Sequence, residues 1–402
     1  MKIVYLHQYF STPHEGGGTR SYEFSRRWGA EGHEVHVLRA GSHVRRGRWD
    51  QTTIEGISVH TLGLEYSNRM SFSRRLAAFS GYALRAGSRV LDLEPDVVYA
   101  TSTPLTVAVP ALQARRRGIP YVFEVRDLWP DVPVAMGYLG NPVLRAAAYR
   151  LEATAYWRST RIVALAPGMR DDIVAKGVPG SKVSVIPQGC DTELFNSADP
   201  SRVRAEHPWV GEGPMVLYAG TVGEANGLAY LIDLADHMRA VMPEVRFAIV
   251  GDGKERDALE ARAASLGMKD KNIFFIGRVP KTVVVDWMAA SQATLALLAG
   301  PRVMWKDAVQ NKFFDSVAAG KPIVTNNGGW QTSIALEEGL GVTLSPDDLG
   351  LAAEQLSAML RDEEFLGRVP ANARRVAETR FNRDRQAREA LRILEAAVAS
   401  ST

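Results

Sequence analysis

Cysteine is all but missing from this sequence. The single Cys190 excludes an internal disulfide framework and fits a reducing compartment. No basic start, apolar run and cleavage site of a secretory leader precedes the strand-like opening "KIVYLHQYF", so no export is expected. Long apolar runs are absent too. The longest uncharged stretch, Val97 to Ala114, contains two prolines, three threonines, a serine and a glutamine. It reads as strand, loop and helix rather than as the roughly 20 apolar residues of a membrane span. No G-x-G-x-x-G follows a strand, and Gly320-Lys321 is followed by Pro322 rather than by Ser or Thr. The dinucleotide fingerprint and the P-loop are therefore both missing, which weighs against hydride transfer and ATP hydrolysis. No convincing D-x-D metal motif is present either, and no metal site is expected.

Charge is scarce in neither sign, but it is unevenly placed. Residues 1–190 hold 24 Lys and Arg against 16 Asp and Glu, a surplus of +8, and the remainder holds 24 against 29, a deficit of −5. A basic half beside an acidic half suggests an anionic ligand or surface on one side only. The bases are not interleaved with aromatics in a nucleic-acid motif, so nucleic acid is not expected as a partner.

At 402 residues the chain is too long for one ordinary core, and two domains are expected. Short apolar strands alternate with helices throughout. The first series runs from "KIVYLHQYF" through "HEVHVLRA", "DVVYATS", "YVFEV" and "RIVALA" to "KVSVIPQG". The second runs from "MVLYAGT" through "VRFAIVGDG", "NIFFIG" and "ATLALLA" to "PIVTNN". Apolar strands alternating with helices imply parallel sheets covered on both faces. The expected architecture is α/β: two doubly wound, Rossmann-like domains facing each other across a cleft, 1–190 and 191–381. A closing helix at about 382–402 is expected to pack back on the first domain. A ligand belongs at the carboxyl ends of the strands.

Four stretches carry candidate chemistry. In "STPHEGGGTR" the glycines Gly16, Gly17 and Gly18 remove side chains, so that backbone N–H groups can approach an anion at a helix start; the plain alternative is a turn. "FEVRDLWPD" places Glu124, Arg126, Asp127 and Asp131 at the end of an apolar strand, where an Arg can neutralise an anion and an Asp can hold a hydroxyl. In "YAGTVGEANGL", Gly220, Thr221 and Gly223 form a turn into a helix with phosphate-compatible geometry. Most informative is "KDAVQNKFFDSVAAGKPIV", with Asp307 and Asp315 eight positions apart. Helical spacing would separate them by about 12 Å, beyond the roughly 5–9.5 Å of a carboxylate pair acting on one glycosidic bond. The spacing suits two acids gripping two ends of one long ligand. Between them Asn311 can cap the helix, and Lys312 supplies a cation near its N-terminus. Sugar hydroxyls, ribose hydroxyls and an intervening diphosphate would satisfy all four side chains.

These motifs together resemble the GT-B glycosyltransferases of family 4, the retaining nucleotide-sugar enzymes, over the whole chain. The resemblance rests on the Gly-rich first loop, "VIPQGCDTELF" as an interdomain hinge, "YAGTVG", "FAIVGDG", and an acid-x7-acid pattern followed by "AAGKPIV". It implies that Asp307 meets the donor sugar and Asp315 the ribose of a nucleoside-diphosphate sugar, a UDP-sugar first of all, with no other cofactor. It also implies same-face displacement, in which the donor phosphate accepts the proton of the acceptor hydroxyl. The sequence departs from the family in three ways. Aspartates replace two glutamates; Thr221 and Asn226 stand where an Arg and a Lys usually clamp the diphosphate, leaving Lys312 as the substitute; and Arg126 stands before Asp127 where a His is common. "FEVRDLWP" with "QNKFFDSVAAGKPI" looks most like the bacterial L-fucosamine transferase-like branch. The donor sugar is then an N-acetylated or deoxy hexosamine, and the acceptor a glycan or lipid-linked sugar of surface-polysaccharide assembly.

Other readings of the same architecture are a natural-product glycosyltransferase with a soluble acceptor, a non-hydrolysing nucleotide-sugar epimerase, and a non-catalytic nucleotide-sugar sensor. A further expectation concerns "MSFSRRLAAFSGYALRAGSRVL". On a helix Arg74, Arg75, Arg85 and Arg89 fall within an arc of roughly 100°, beside a face made by Phe72, Leu76, Phe79, Ala83 and Val90. The arginines could meet a lipid-diphosphate acceptor or an anionic membrane, with "HVRRGRWD" as a second patch. The protein would then be cytoplasmic and peripheral on the inner membrane face.

Overall fold

A computed structural model describes residues 1–67, 70–211, 213–302 and 305–400, without the side chain of Phe72. The chain divides into two compact units: Met1–Ser11, Gly18–Gln188 and Arg383–Thr402 form one, and Thr12–Gly17 with Gly189–Asn382 form the other.

The first unit is built on a sheet of eight strands. They are β1 (Lys2–Leu6), β2 (Glu34–Gly41), β3 (Trp49–Ile54), β4 (Ile57–Gly63), β5 (Val97–Thr101), β6 (Tyr121–Val125), β7 (Arg161–Ala164) and β8 (Val183–Val185). Their order is β3-β4-β2-β1-β5-β6-β7-β8. All neighbours are parallel except β3 and β4. These two form a hairpin through Glu55 and Gly56, both at positive φ (47° and 79°), the backbone that a two-residue turn needs to match strand twist. The buried strands β1, β5 and β6 are mostly apolar because helices cover both faces. Ile3, Tyr5, Val97, Tyr99 and Val122 share a core with Trp28 and with Ala387, Ala390 and Leu394 of the closing helix Arg383–Ala399. Trp28 Nε1 donates to the Ala387 carbonyl at 2.9 Å, which removes the one polar atom that burying an indole would otherwise strand.

The second unit holds six parallel strands: β9 (Met215–Ala219), β10 (Arg246–Val250), β11 (Ile273–Gly277), β12 (Ala293–Ala296), β13 (Ile323–Thr325) and β14 (Gly341–Thr343). Their order is β11-β10-β9-β12-β13-β14, the doubly wound arrangement in which the direction of winding reverses between β9 and β12. In the first unit the reversal lies between β1 and β5. At such a point two loops leave neighbouring strands in opposite directions and open a crevice at the strand ends.

Candidate active site

At the reversal point of the second unit, β9 ends in Gly220, Thr221 and Gly223. A short 3-10 turn, Glu224–Asn226, and Gly227 in the left-handed region (φ 66°) then lead into the helix Leu228–Val241. That helix has no side-chain cap, so its first N–H groups remain open to an anion. Ala299 N, from the loop after β12, donates to Ala225 O at 3.1 Å and fixes the two loops to each other. Three glycines allow this packing. A Cβ on Gly251 would lie 1.8 Å from the Gly220 carbonyl oxygen, and one on Gly253 would lie 2.1 Å from that of Val222. A Cβ on Gly220 would press on the Lys312 side chain at 3.3 Å.

Lys312 reaches this point from the start of the helix Asn311–Ala319. Its Nζ donates to Asn226 Oδ1 at 2.9 Å and lies 5.0 Å from the Tyr218 ring centroid. Burial pulls its pKa down to about 8, although the Asp315 carboxylate opposes the shift. A half-buried ammonium so placed gains from an anion that would replace lost water. The expected cap is corrected: Gln310 holds the cap position and Asn311 is the first helical residue. Gln310 makes no side-chain cap bond. Its amide donates to the Leu297 carbonyl at 2.7 Å, and its backbone is held from both sides by Gln331. Asn326 clamps Leu298 in the same way, accepting from its N–H at 2.9 Å and donating to its carbonyl at 3.0 Å.

Asp307 precedes the helix in a loop pinned by the bond from Trp330 N to Lys306 O at 3.0 Å. Its side chain is 11% exposed, with Lys306 Nζ 4.0 Å away. Asp315 sits one turn beyond Lys312 and forms an ion pair with Lys281, which also lies 5.5 Å from the Phe195 ring centroid. Lys281 was not foreseen. The available signal was a lysine opening the helix Lys281–Ala290 right after Pro280, where the helix dipole disfavours a cation unless a carboxylate holds it. The Gly-rich loop is split between the units: Gly16 and Gly17 group with the second, Gly18 with the first. It is the Gly16 carbonyl that is engaged, accepting from Arg278 Nη2 at 2.9 Å.

In the first unit the charged residues after β6 separate into two kinds. Glu124 and Asp131 are held by partners within the protein. Glu124 is fully buried and bound by Arg20 Nε at 2.8 Å, Tyr99 Oη at 2.8 Å and the Thr101 hydroxyl. Burial opposes its charge, but Arg20 and these donors keep its pKa low. Asp131 is tied to Lys176 and to Tyr149. Arg126 and Asp127 are only half-buried. Burial lifts the Asp127 carboxyl to about 6, with Arg126 pulling the other way. Arg126 Nη1 lies 3.3 Å from His7 Nε2, and His7 Nδ1 lies 2.6 Å from Ser21 Oγ. His7, at the end of β1, is a second residue not foreseen; burial and Arg126 hold its pKa well below the usual histidine value.

The helix Phe72–Leu93 buries Phe79, Ala83 and Val90 as expected, with Leu76 half-buried; the side chain of Phe72 lies outside the described residues. Its four arginines are not one exposed patch. Arg74 and Arg85 are exposed, whereas Arg75 and Arg89 are half-buried. Arg89 turns to the sheet, where its Nη2 lies 3.0 Å from His60 Nδ1 and 3.4 Å from Gln51 Oε1. Among the described residues no helix is long and apolar enough to cross a membrane.

The chain is similar to known proteins over most of its length. Residues 15–189 match the family described as "Glycosyl transferase 4-like domain", and residues 213–362 match "Glycosyl transferases group 1". A D-inositol 3-phosphate glycosyltransferase of Xylanimonas cellulosilytica is 27% identical over 93% of this chain and 90% of its own. A putative colanic acid biosynthesis glycosyl transferase of Escherichia coli is 24% identical over 68% of this chain and 71% of its own. Among solved structures, Anabaena Alr3699/HepE in complex with UDP and glucose superposes with a TM-score of 0.72, at 19% identity, over 98% of this chain and 100% of its own. The fold is GT-B.

Proposed function

The chain is a glycosyltransferase of the family 4, group 1 kind, and from that premise we propose that it transfers an N-acetylated or deoxy hexosamine from a UDP-sugar, with retention of configuration, to a glycan or lipid-linked acceptor in surface-polysaccharide assembly. It acts in the cytoplasm, where the donor and a single reduced cysteine both belong. The second unit binds the donor and the first the acceptor. The observation that carries the reading is Lys312, an ammonium depressed by burial and held by Asn226 at a strand-end crevice, beside an uncapped helix N-terminus. The diphosphate lies against Lys312, the Gly220–Gly223 turn and the first N–H groups of the helix Leu228–Val241. Asp315 meets the ribose and Asp307 the transferred sugar.

No side chain is needed as a glycosyl nucleophile. The donor phosphate takes the proton of the attacking hydroxyl on the face from which it departs. The residues supply position and charge stabilisation, with Lys312 and helix N–H groups of the second unit at the diphosphate, and with Arg126 and Asp127 of the first unit binding the acceptor. These groups do the work a resident metal would otherwise do. The test is incubation of the purified protein with a panel of UDP-sugars, with and without candidate acceptors, followed by assignment of the anomeric configuration of the product. Acceptor-dependent transfer with retention supports the reading. Interconversion of donor alone would make the protein an epimerase.

A further inference from the structure

His7 and Arg126 are 119 positions apart in the chain and meet over the end of a third strand. In the first sheet β5 lies between β1 and β6. A side chain reaching from the residue after β6 to the residue after β1 therefore crosses the end of β5, where the winding of the sheet reverses. Arg126 does this, placing Nη1 3.3 Å from His7 Nε2. A guanidinium can only donate, so His7 Nε2 presents its lone pair. The single proton of the neutral ring then sits on Nδ1 and is donated to Ser21 Oγ at 2.6 Å. Partners on two different elements thus fix the tautomer: Ser21 from the helix Arg20–Ala30 and Arg126 from the loop after β6. His7 and Ser21 are both buried. The backbone of His7 is tied to the Leu38 carbonyl at 3.2 Å, and its ring meets that of Tyr9 edge-on at 6.5 Å. Burial and the Arg126 charge both disfavour the imidazolium, so the lone pair is present at neutral pH.

We infer that His7 is a positioning residue: its Nε2 lone pair holds the Arg126 guanidinium over the strand ends, and Ser21 keeps His7 in the tautomer that can do so. The inference rests on the reading that Arg126 binds the acceptor. The neighbouring Arg20 shows what a purely structural guanidinium looks like in this sheet. It is fully buried, with Nε on the Glu124 carboxylate and Nη1 and Nη2 on the carbonyls of Pro187 and Ile186. Arg126 is only half-buried, and among the described residues its guanidinium makes no hydrogen bond other than the one to His7. Its backbone is anchored separately, by the bond from its N–H to Ser102 Oγ at 3.1 Å. The remaining guanidinium N–H groups are left for an anionic or hydroxyl group of the acceptor. A neutral partner fixes the guanidinium and leaves its charge to act there, whereas a carboxylate at the same spot would neutralise it.

The test has two arms, both on the full chain. Long-range nitrogen–proton correlation NMR at neutral pH needs no substrate and should find His7 neutral with its proton on Nδ1; a proton on Nε2 overturns the proposal. The kinetic arm uses UDP-N-acetylglucosamine with the p-nitrophenyl and octyl glycosides of glucose, galactose and N-acetylglucosamine as acceptors. His7→Phe keeps a ring in the same space but lacks the lone pair. Its kcat/KM for the acceptor should fall about tenfold or more, while its affinity for UDP, read by calorimetry, stays that of the parent. His7→Gln, whose amide oxygen can accept from Arg126, should recover most of the loss. His7→Phe with Ser21→Ala removes both ends of the inner hydrogen bond and strands neither, so it should keep the parental thermal midpoint and still show the kinetic loss. In an Arg126→Ala background, His7→Phe should change acceptor kinetics no further. Additive losses, or no loss in His7→Phe while Arg126→Ala is impaired, overturn this inference alone. Parental acceptor kinetics in Arg126→Ala would refute the acceptor reading and this inference together. Transfer to none of these acceptors would count against the transfer reading, and the position of the His7 proton then decides the present one.

Discussion

Burial pulls the Lys312 pKa down to about 8, and the side chain must be protonated to meet a diphosphate. Donor affinity should therefore be full below pH 8 and should fall as pH rises above it, by at most about tenfold per unit. The bound anion raises the pKa again, so complex formation near pH 8 takes up a proton. Titration calorimetry of UDP across pH 6.5 to 9.5, an interval spanning roughly three units, reads both effects, and Lys312→Ala should remove them. The same substitution should weaken UDP by about 1.5–3 kcal/mol, the range for a charge-assisted hydrogen bond. A flat pH profile in the parent protein would dissociate Lys312 from the phosphates. The two aspartates should separate in the same assay: Asp315→Ala weakens UDP, while Asp307→Ala leaves UDP binding intact and loses transfer. Equal UDP affinity in both variants and the parent would refute the assignment.

At the level of elements, the ends of the strands divide into structural and chemical positions, and burial draws the line. Glu124 stands three residues before Asp127, yet it is part of the core, with Arg20 fixed between it and the carbonyls of Ile186 and Pro187 at 3.0 and 2.6 Å. Glu124→Ala leaves a buried guanidinium without its counter-charge and should cost about 3–5 kcal/mol in urea unfolding. Asp127→Ala, on a half-buried loop, should cost far less while lowering transfer. A loss of stability of similar size in both would contradict this division. The hairpin β3–β4 and the short strand β14 were not legible in the sequence. "WDQTTI" is exposed along its length and "GVT" spans only three residues, so neither carries the apolar run that marked the buried parallel strands. Most of the remaining strands were legible because they are buried on both faces, and the helices between them because they alternate with those strands.

For the whole molecule, two expectations follow from a donor site held by lysine and backbone N–H groups. EDTA should leave transfer intact; loss by chelation with recovery on adding a divalent ion would sink this account. The thermal midpoint should rise with the preferred donor, since a ligand at about 100 times its Kd adds about 2.7 kcal/mol to the state that binds it. A panel of nucleotide sugars read this way ranks the donors, and a UDP-amino sugar should give the largest shift. A panel with no shift at all would argue against the donor site itself.

The sequence alone determined the α/β alternation, the glycine turns at strand ends and the pair Asp307 and Asp315 flanking Lys312, because periodicity and spacing are local properties of a chain. It indicated a closing helix at about 382–402, but not that Trp28 would be its partner. Only the tertiary structure decided which partner each charge meets. Glu124 and Asp131 are consumed by Arg20 and Lys176, and Asp315 is paired with Lys281, 34 positions away in the chain. Arg89 turns inward to His60 and Gln51. Each outcome depends on partners brought together by strand order, and strand order follows from long-range packing that no local pattern encodes.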